Sequence, residues 1–475
     1  MPRAFGRRFT NLAINTGLFA LNSLAIKFVS FFLIPFYTYY LTAAEYGISD
    51  MCMVVVSLVT PLTTVSIADA AVRFIIDRPE DGKKVAAISI LISLASIVLV
   101  AALSPLLALD CFGGLGQYAV WFVLTYASNV MCNTAGEIAR GKNLIKLMPI
   151  CAGVSSTTSL LAALLCVGYF RLGLIGYFIA TAMGPFTAFG VYMIKGRICS
   201  DVTEGICQLR TDRKLGRKIF KSMASYSLPM VPNSLFWWAS SSMGRMFVTS
   251  MLGIGFSGLY AAASKIPNLL NAIYGVFLQA WQLSAFQESK EENLERFYSQ
   301  VFLFLQAAMS LVCSGLIFIS PWISTVLLQG ELLSAWNMVG LLLLAALVNI
   351  YNSFYGTVYT TTMNTKHLMK TTMMGAVTSF LSLPLMIGMF GMFGACLSSI
   401  ASQTVVLVLR ACDSRKILNF EVNWFALVSS LVVISAQATA SFYLGEGATV
   451  FSLIGFAVVC LMQLLVVFRF LKRRC

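Results

Sequence analysis

Three basic residues lie inside long apolar stretches of this sequence. Arg245 is in the middle of the stretch 230–267, Lys265 is near its end, and Lys27 is in the stretch 12–40. A lone charge on a helix within a bilayer costs about 2.5–3.5 kcal/mol on insertion scales, so such a side chain must face water, a partner or a ligand. Guanidinium and ammonium groups bind phosphate oxygens. These cations therefore predict a site for an anionic substrate. Snorkelling to the membrane surface is the alternative, and it suits Lys265 better than Arg245.

Aromatic residues close to these cations in the sequence extend the hypothesis to sugar binding. Trp237, Trp238, Tyr274 and Trp281 all fall within fifty residues of Arg245. The flat faces of such rings can stack on sugars, because both faces are apolar. For each ring, a place in the aromatic belt at the membrane surface is the alternative interpretation.

Two pairs of opposite charges follow apolar stretches. Asp69 and Arg73 are four residues apart, and Glu137 and Arg140 are three apart, so each pair shares one helix face and can form an ion pair. One interpretation is that they are plain helix-end pairs that fix the membrane topology. The functional alternative is an inner gate, or a carboxylate that responds to protons or sodium, formed by Asp69, Glu137 and Arg140. We expect Arg73 to help bind the anionic head group.

The elements that must position these residues are membrane-spanning helices. Of the 475 residues, 58% are hydrophobic and 11% are charged, whereas a soluble chain has about 25% charged residues. Apolar stretches of about 20 residues can cross a bilayer as helices. The sequence predicts an all-α polytopic membrane protein with about fourteen spans: 12–40, 47–68, 85–109, 116–138, 147–170, 172–194, 222–251, 255–285, 298–318, 334–360, 367–390, 393–411, 422–443 and 448–470. The eleventh and twelfth spans share a tight connection in the run GMFGMFG.

The basic residues indicate how these spans are oriented. Nearly all of the 33 Lys and Arg residues fall at the two termini or in the even-numbered connections. The odd-numbered connections carry Arg171 and the acids Glu45, Asp110, Glu331 and Glu446. By the positive-inside rule, both termini are predicted to be cytoplasmic. This topology also accounts for the net charge of +14 without a nucleic-acid partner.

The longest polar stretch divides the spans into two sets. We expect residues 195–221 to form a cytoplasmic linker loop between an N-terminal six-helix bundle, 1–194, and a C-terminal one, 222–411. Residues 412–475 are predicted to add two helices and a basic tail. A plain cytoplasmic loop without a repeat on either side is the alternative.

A weak internal repeat supports the division into halves. Gly47 follows Leu41 by six places, and Gly258 follows Leu252 by six places. Each glycine comes after the first predicted span of its half. Secondary transporters commonly consist of paired halves around a central site.

Sequence signatures of catalysis and metal binding are missing. There is no Walker A run, no H-E-x-x-H and no G-x-S-x-G. The twelve cysteines are scattered without a C-x-x-C pair, and His367 is the only histidine. We therefore expect neither an enzyme nor a cofactor or metal site. A membrane-embedded polymerase or ligase would also need a larger outer loop than the odd-numbered connections provide.

Several motifs resemble one family of exporters. The stretch Asn15–Asp50, with the pattern I-P-x-Y-T-x-x-L-x-x-x-E-Y-G from Ile34 to Gly47, resembles the start of the Wzx-type polysaccharide flippases. These belong to the multidrug/oligosaccharidyl-lipid/polysaccharide (MOP) exporter superfamily. Gly258–Glu288, with Q-A-W at Gln279–Trp281, resembles the eighth span of that family, and Asp69–Phe74 resembles the end of its second span.

The resemblance implies a fold, a substrate and a location. It implies two six-helix bundles in a V-shaped arrangement with two further helices, and alternating access. The implied substrate is an undecaprenyl-pyrophosphate-linked oligosaccharide for O-antigen, lipopolysaccharide, capsule or exopolysaccharide. The implied location is the bacterial cytoplasmic membrane, where the protein would be a monomer near a polysaccharide polymerase and glycosyltransferases. Relatives often have an Asp-Arg pair in the seventh span, whereas here Gly244 precedes Arg245.

Other functions stay open at this point. A lipid II flippase or another exporter of the same superfamily fits most of the same features. A drug exporter would favour carboxylates for cationic cargo, and spans seven and eight lack them. A scaffold with no transport role would give the cations inside the spans no purpose.

Overall fold

The structure is a computed structural model that describes residues 32–288, 294–362 and 365–472. Throughout these ranges the chain consists of helices and their connections, and no strand occurs in them. In lipid, a helix satisfies every backbone polar group within its own segment, which is why long apolar stretches fold this way. The prediction of an all-helical polytopic membrane protein is confirmed.

The helices follow the apolar stretches closely. In chain order they are α1 (32–40), α2 (Ala43–Thr64), α3 (Ile67–Asp77), α4 (Gly82–Leu103), α5 (Ala119–Gly141), α6 (Leu147–Ala163), α7 (Gly173–Lys195), α8 (Ile198–Thr211), α9 (Arg213–Ser227), α10 (Met230–Leu252), α11 (Ile254–Ala263), α12 (Pro267–Glu288), α13 (Leu294–Leu327), α14 (Trp336–Thr361), α15 (Thr365–Ser414), α16 (Trp424–Leu444) and α17 (Thr449–Lys472). Within the described ranges, nine helices are long and apolar enough to cross a membrane. The count of fourteen spans stays a prediction.

Two helices are interrupted near the predicted ends of spans. Close to the predicted end of the second span, 47–68, helix α2 is followed by Val65 and Ser66, which have positive φ angles of 54° and 50°, and α3 begins directly afterwards. Inside α15, Gly391 has φ 57° and ψ −133°, which breaks the helix into two. A left-handed φ is readily available to glycine. This break lies in the GMFGMFG run, where the short connection between spans was predicted.

The stretch 195–221 is not a loop, contrary to the prediction. It folds into α8 and most of α9. The Asp212 side chain caps α9 by accepting a hydrogen bond from the Leu215 amide at 3.0 Å. Ile219 and Met223, four residues apart, are buried on one face of α9, while its basic residues face outward. The segment is amphipathic, so its high charge hid a helical apolar face.

Contacts divide the chain into two compact units. The N-terminal unit contains the described residues 32–41 and Ile48–Leu235, and the C-terminal unit contains Thr42–Gly47 together with 236–472. The first turn of α2 thus belongs to the C-terminal unit. The division of the membrane helices into the bundles 1–194 and 222–411, with 412–475 added, stays a prediction.

Each unit has its own core. In the N-terminal unit, α3, α4, α5 and α9 pack around buried residues such as Ala71, Ile138 and Met223. In the C-terminal unit, α14 is the central helix, and its Tyr351 and Phe354 are wholly buried.

Candidate functional site

The predicted gating residues of the N-terminal unit lie together. The Arg140 guanidinium of α5 is 3.5 Å from the Glu137 carboxylate. Asp69 of α3 is close enough to be attracted by Arg140 and to repel the Glu137 carboxylate. Nearby protein atoms exclude water and raise the pKa of Asp69, while the charge of Arg140 opposes this shift. Two carboxylates thus share one guanidinium, an arrangement in which a proton or a cation could be exchanged.

Arg73 does not pair with Asp69, contrary to the expectation from their spacing. Its Nε donates to the Asp77 carboxylate at 2.8 Å, and its guanidinium lies 5.9 Å from the ring centre of Tyr226. Asp77 is also four residues from Arg73, so both acids had suitable spacing. Asp69 instead interacts with Arg140 across the α3–α5 contact. The role of Arg73 in head-group binding stays a prediction.

Arg245 is half-buried on α10 in the C-terminal unit. Its positive charge acts on the hydroxyl of Tyr260 in α11, which also interacts with Ser399. A Cβ added to Gly244 would meet only the Leu383 side chain of α15, at 3.8 Å. Close packing therefore does not require a glycine at the position where relatives often have an acid.

Lys265 lies in the turn between α11 and α12 and is also half-buried. Its Nζ is 5.9 Å from the ring centre of Tyr46, in the part of α2 that belongs to the C-terminal unit. The Ala43 amide in the same turn of α2 donates to the Glu331 carboxylate at 3.2 Å. Lys265 and this turn of α2 therefore form one contact region.

The two glycines of the weak repeat are in contact in this region. A Cβ placed on Gly47 would lie 3.0 Å from the Gly258 amide nitrogen, and one on Gly258 would lie 2.9 Å from the Gly47 amide nitrogen. Each would also overlap a carbonyl oxygen, that of Ile254 or Ala43 respectively. The start of α2 and α11 thus touch backbone to backbone, which only glycines permit. The repeat of whole halves stays a prediction.

The four predicted stacking residues have different surroundings. Trp237 is 62% exposed, and Trp238 is half-buried. Tyr274 is buried, and its hydroxyl has no hydrogen-bond partner among the described residues. Trp281 is buried too, and its Nε1 donates to the Thr357 hydroxyl at 3.0 Å. The ring of Trp237 is accessible in this structure, whereas Trp281 is part of the core. Their role in glycan stacking stays a prediction.

Lys27 lies outside the described residues.

Sequence reasoning missed a buried guanidinium, that of Arg410 in α15, which is 8% exposed. It donates to the carbonyl of Asn352 at 2.7 Å and to the hydroxyls of Thr371 and Thr372 at 3.1 and 3.0 Å. The sequence signal that could have revealed it was the position of Arg410 inside the predicted span 393–411. Because Arg410 is close to the end of that span, it was counted among the cations of the following cytoplasmic connection. Its charge is close enough to Tyr274 to affect that hydroxyl.

Comparisons with known proteins agree with these findings. The family model described as "Polysaccharide biosynthesis protein" matches residues 12–282. The chain is similar to a solved structure of the lipid II flippase MurJ in an inward closed conformation, with 14% identity and a TM-score of 0.69, covering 96% of this chain and 99% of that chain. It is also similar to an inward-facing multidrug resistance MATE family transporter of the MOP superfamily, with 14% identity and a TM-score of 0.63, covering 84% and 98%.

A comparison with curated protein sequences found no significant match. At 14% identity the two structural likenesses show the fold, which is that of a multi-pass helical membrane protein.

Proposed function

Because the chain belongs to the polysaccharide biosynthesis protein family, we propose that it is a flippase for a lipid-linked oligosaccharide. Its substrate would be an undecaprenyl-pyrophosphate-linked repeat unit of O-antigen, capsule or exopolysaccharide. The protein would move this lipid across the bacterial cytoplasmic membrane by alternating access, with both of its termini in the cytoplasm. It would act as a monomer on the product of glycosyltransferases and supply a polymerase.

The half-buried Arg245 is the observation that carries this proposal. It lies seven residues before the end of α10, or about 10 Å along the helix, in a helix without Asp or Glu. A guanidinium at this depth is costly unless it faces water, a partner or a ligand, and it can bind a pyrophosphate through two oxygens at once. Lys265, in the same unit, and Lys27 would add further positive charge for the head group.

A lipid II flippase is the second candidate. The observation that favours it is the similarity to MurJ over nearly the whole of both chains. A head group that carries phosphate would meet the same cations in either case, so the site residues alone do not separate the two substrates. Transport of purified lipid II and of a lipid-linked repeat unit by the reconstituted protein would separate them.

The test is to remove the proposed head-group charges and measure export. We expect Arg245→Gln and Lys27→Gln each to lower surface polysaccharide at least tenfold while the protein still inserts into the membrane, since one charge-assisted contact contributes about 1.5–3 kcal/mol. Arg245→Lys should retain part of the activity, because it keeps the charge and loses the bidentate geometry.

Lys370→Gln is the matched control. Lys370 is an exposed cation of the same unit, and its removal should leave export unchanged. Normal surface polysaccharide in both the Arg245→Gln and Lys27→Gln variants would refute the proposed site.

A further inference from the structure

A groove runs along the N-terminal unit between α4 and the amphipathic helix α9. Its volume is about 410 Å³. The wall formed by α4 is wholly apolar, and the wall formed by α9 carries two arginines. The lining residues are Ile88, Leu91, Ile92 and Ala95 of α4, Leu209 of α8, and Arg213, Gly216, Arg217 and Phe220 of α9. None of these residues belongs to the proposed pyrophosphate site.

The apolar side of the groove lies at the depth of lipid acyl chains. Helix α4 begins at Gly82 and carries Lys83 and Lys84 in its first turn, where the membrane surface is expected. At 1.5 Å per residue, Ile88 and Ala95 lie about 7 and 18 Å along the helix from Lys83. The hydrocarbon core of one leaflet is about 15 Å thick. The groove therefore begins just below the head groups and continues into the acyl region.

The rim of the groove carries a pair of guanidinium groups. Arg213 and Arg217 are four residues apart, so they lie on one face of α9, and both are exposed. Within the described part of the chain, neither forms an ion pair with a carboxylate. The neighbouring Lys214 and Lys218 are exposed as well but do not line the groove. Positive charge is thus concentrated at the end of the apolar groove that is nearest the membrane surface.

We propose that this groove binds one anionic phospholipid, with its phosphate between Arg213 and Arg217 and an acyl chain along α4. An apolar groove alone would accept the chain of any lipid. The two guanidinium groups select a lipid with a net negative head group, because a zwitterionic one cancels the attraction with its own cation. Basic pockets beside membrane helices bind anionic lipids in this way. The bound lipid would hold α9 against the membrane surface.

Helices α8 and α9 pack closely at the wall of the groove. Gly216 lies between the two arginines at the groove wall, and a Cβ there would collide with the Leu209 side chain. Phe220, one turn beyond Arg217, is 46% exposed and extends the apolar wall. A lipid would cover this ring and the side chain of Leu91, which is 44% exposed.

The test uses the purified full chain in detergent, titrated with phosphatidylglycerol and observed by native mass spectrometry. The wild-type protein should retain phosphatidylglycerol in preference to phosphatidylcholine. Arg213→Gln combined with Arg217→Gln should weaken phosphatidylglycerol binding about thirtyfold, since each basic residue near an anionic lipid contributes a factor of roughly five. The control is Lys214→Gln combined with Lys218→Gln, which removes the same charge from the same helix and should leave the affinity within about twofold.

A second variant tests the apolar side without changing charge. Ala95→Trp would fill the groove, so it should also lower phosphatidylglycerol retention. Three results would overturn the proposal: equal losses in the arginine and lysine double variants, unchanged retention in Ala95→Trp, or displacement of phosphatidylglycerol by equimolar undecaprenyl pyrophosphate. The last result would assign the groove to the transport substrate. Export failure in Arg245→Gln has no bearing on these outcomes, so the two proposals fail separately.

Discussion

Charged side chains have different partners in the two units. Among the described residues of the N-terminal unit, cations pair with carboxylates in five places: Arg73 with Asp77, Lys83 with Glu204, Lys84 with Asp81, Arg140 with Glu137, and Lys142 with Asp201. In the described part of the C-terminal unit, Arg410 instead donates to neutral oxygens, and the Arg415 guanidinium lies 5.3 Å from the ring centre of Trp424. The C-terminal unit also contains a contact with a carboxylate, that of the His367 Nδ1 with Asp413 at 2.8 Å.

The partner of a cation determines how strongly that cation attracts a further anion. A cation beside a carboxylate is locally neutralised, so it contributes little attraction for a further anion. A cation held by hydroxyls, carbonyls or a ring keeps its formal charge, because none of these partners carries one. Arg410 and Arg415 therefore keep more attraction for an anionic group than the paired cations of the N-terminal unit. Two of the N-terminal pairs, Lys83 with Glu204 and Lys142 with Asp201, join parts of the chain that are far apart in the sequence, whereas the other three lie three or four residues apart.

Removing Arg410 should have the largest effect on stability. Arg410→Met leaves the Asn352 carbonyl and two threonine hydroxyls without their charged donor, and hydrogen bonds to charged groups contribute about 1.5–3 kcal/mol each. We expect the free energy of unfolding in detergent to fall by about 3 kcal/mol, with part of the loss recovered by relaxation. Arg410→Lys should be intermediate, because an ammonium cannot reach all three acceptors in the same geometry.

The control for Arg410 is a cation from the other unit. The Arg140 side chain is 61% exposed and lies 3.5 Å from Glu137, so Arg140→Met should cost less than about 1 kcal/mol. Equal losses in the Arg410 and Arg140 variants would show that the difference in partners has no energetic consequence.

The ring beneath Arg415 should have a smaller effect. A cation–π contact at an exposed site contributes about 0.5–1 kcal/mol, so Trp424→Leu should lower the free energy of unfolding by that amount beyond the lost apolar contact. Trp424→Phe keeps a ring under the guanidinium and should lose less. Urea unfolding of both variants, each with and without Arg415→Gln, isolates the contact as a coupling energy. A coupling energy of zero would contradict it.

Much of the architecture was predictable because the bilayer leaves few alternatives. Apolar stretches of about 20 residues must be helices in lipid, so the helix positions followed from composition. The break at Gly391 followed from a glycine-rich run between two such stretches. The grouping of Asp69 with Glu137 and Arg140 was less directly predictable. It depended on the expectation that both pairs of charges lie at the cytoplasmic ends of their spans.

Other features depend on contacts between residues that are distant in the sequence. One such contact is the hydrogen bond that Trp281 donates inside the core to Thr357, 76 residues later. The acceptors of Arg410 come from α14 and the start of α15, 38 to 58 residues away. The helices in 195–221 were missed for a different reason. Their apolar face is only a few residues wide, and the charges around it gave the appearance of a loop.

The pair of Lys83 and Glu204 should give the smallest effect, and one that depends on pH and salt. Both side chains are about half exposed, and the hydrogen bond from Lys83 lowers the pKa of Glu204. A carboxyl whose pKa is lowered in the folded state adds stability above its ordinary pKa, and this is lost as the pH falls through the lowered value. We therefore expect Lys83→Gln to melt slightly below the wild type at pH 7 and at the same temperature near pH 3.

Salt provides an independent check on the same pair, because dissolved ions screen exposed charges. The screening length is about 8 Å at 0.15 M ionic strength and about 3 Å at 1 M. The difference between the wild type and Lys83→Gln at pH 7 should therefore shrink in 1 M salt. Lys214→Gln, which removes an exposed cation with no ion pair among the described residues, should show neither dependence. A difference that persists at pH 3, or that grows with salt, would mean that Lys83 stabilises the N-terminal unit through the packing of its aliphatic chain on α8 instead of through its charge.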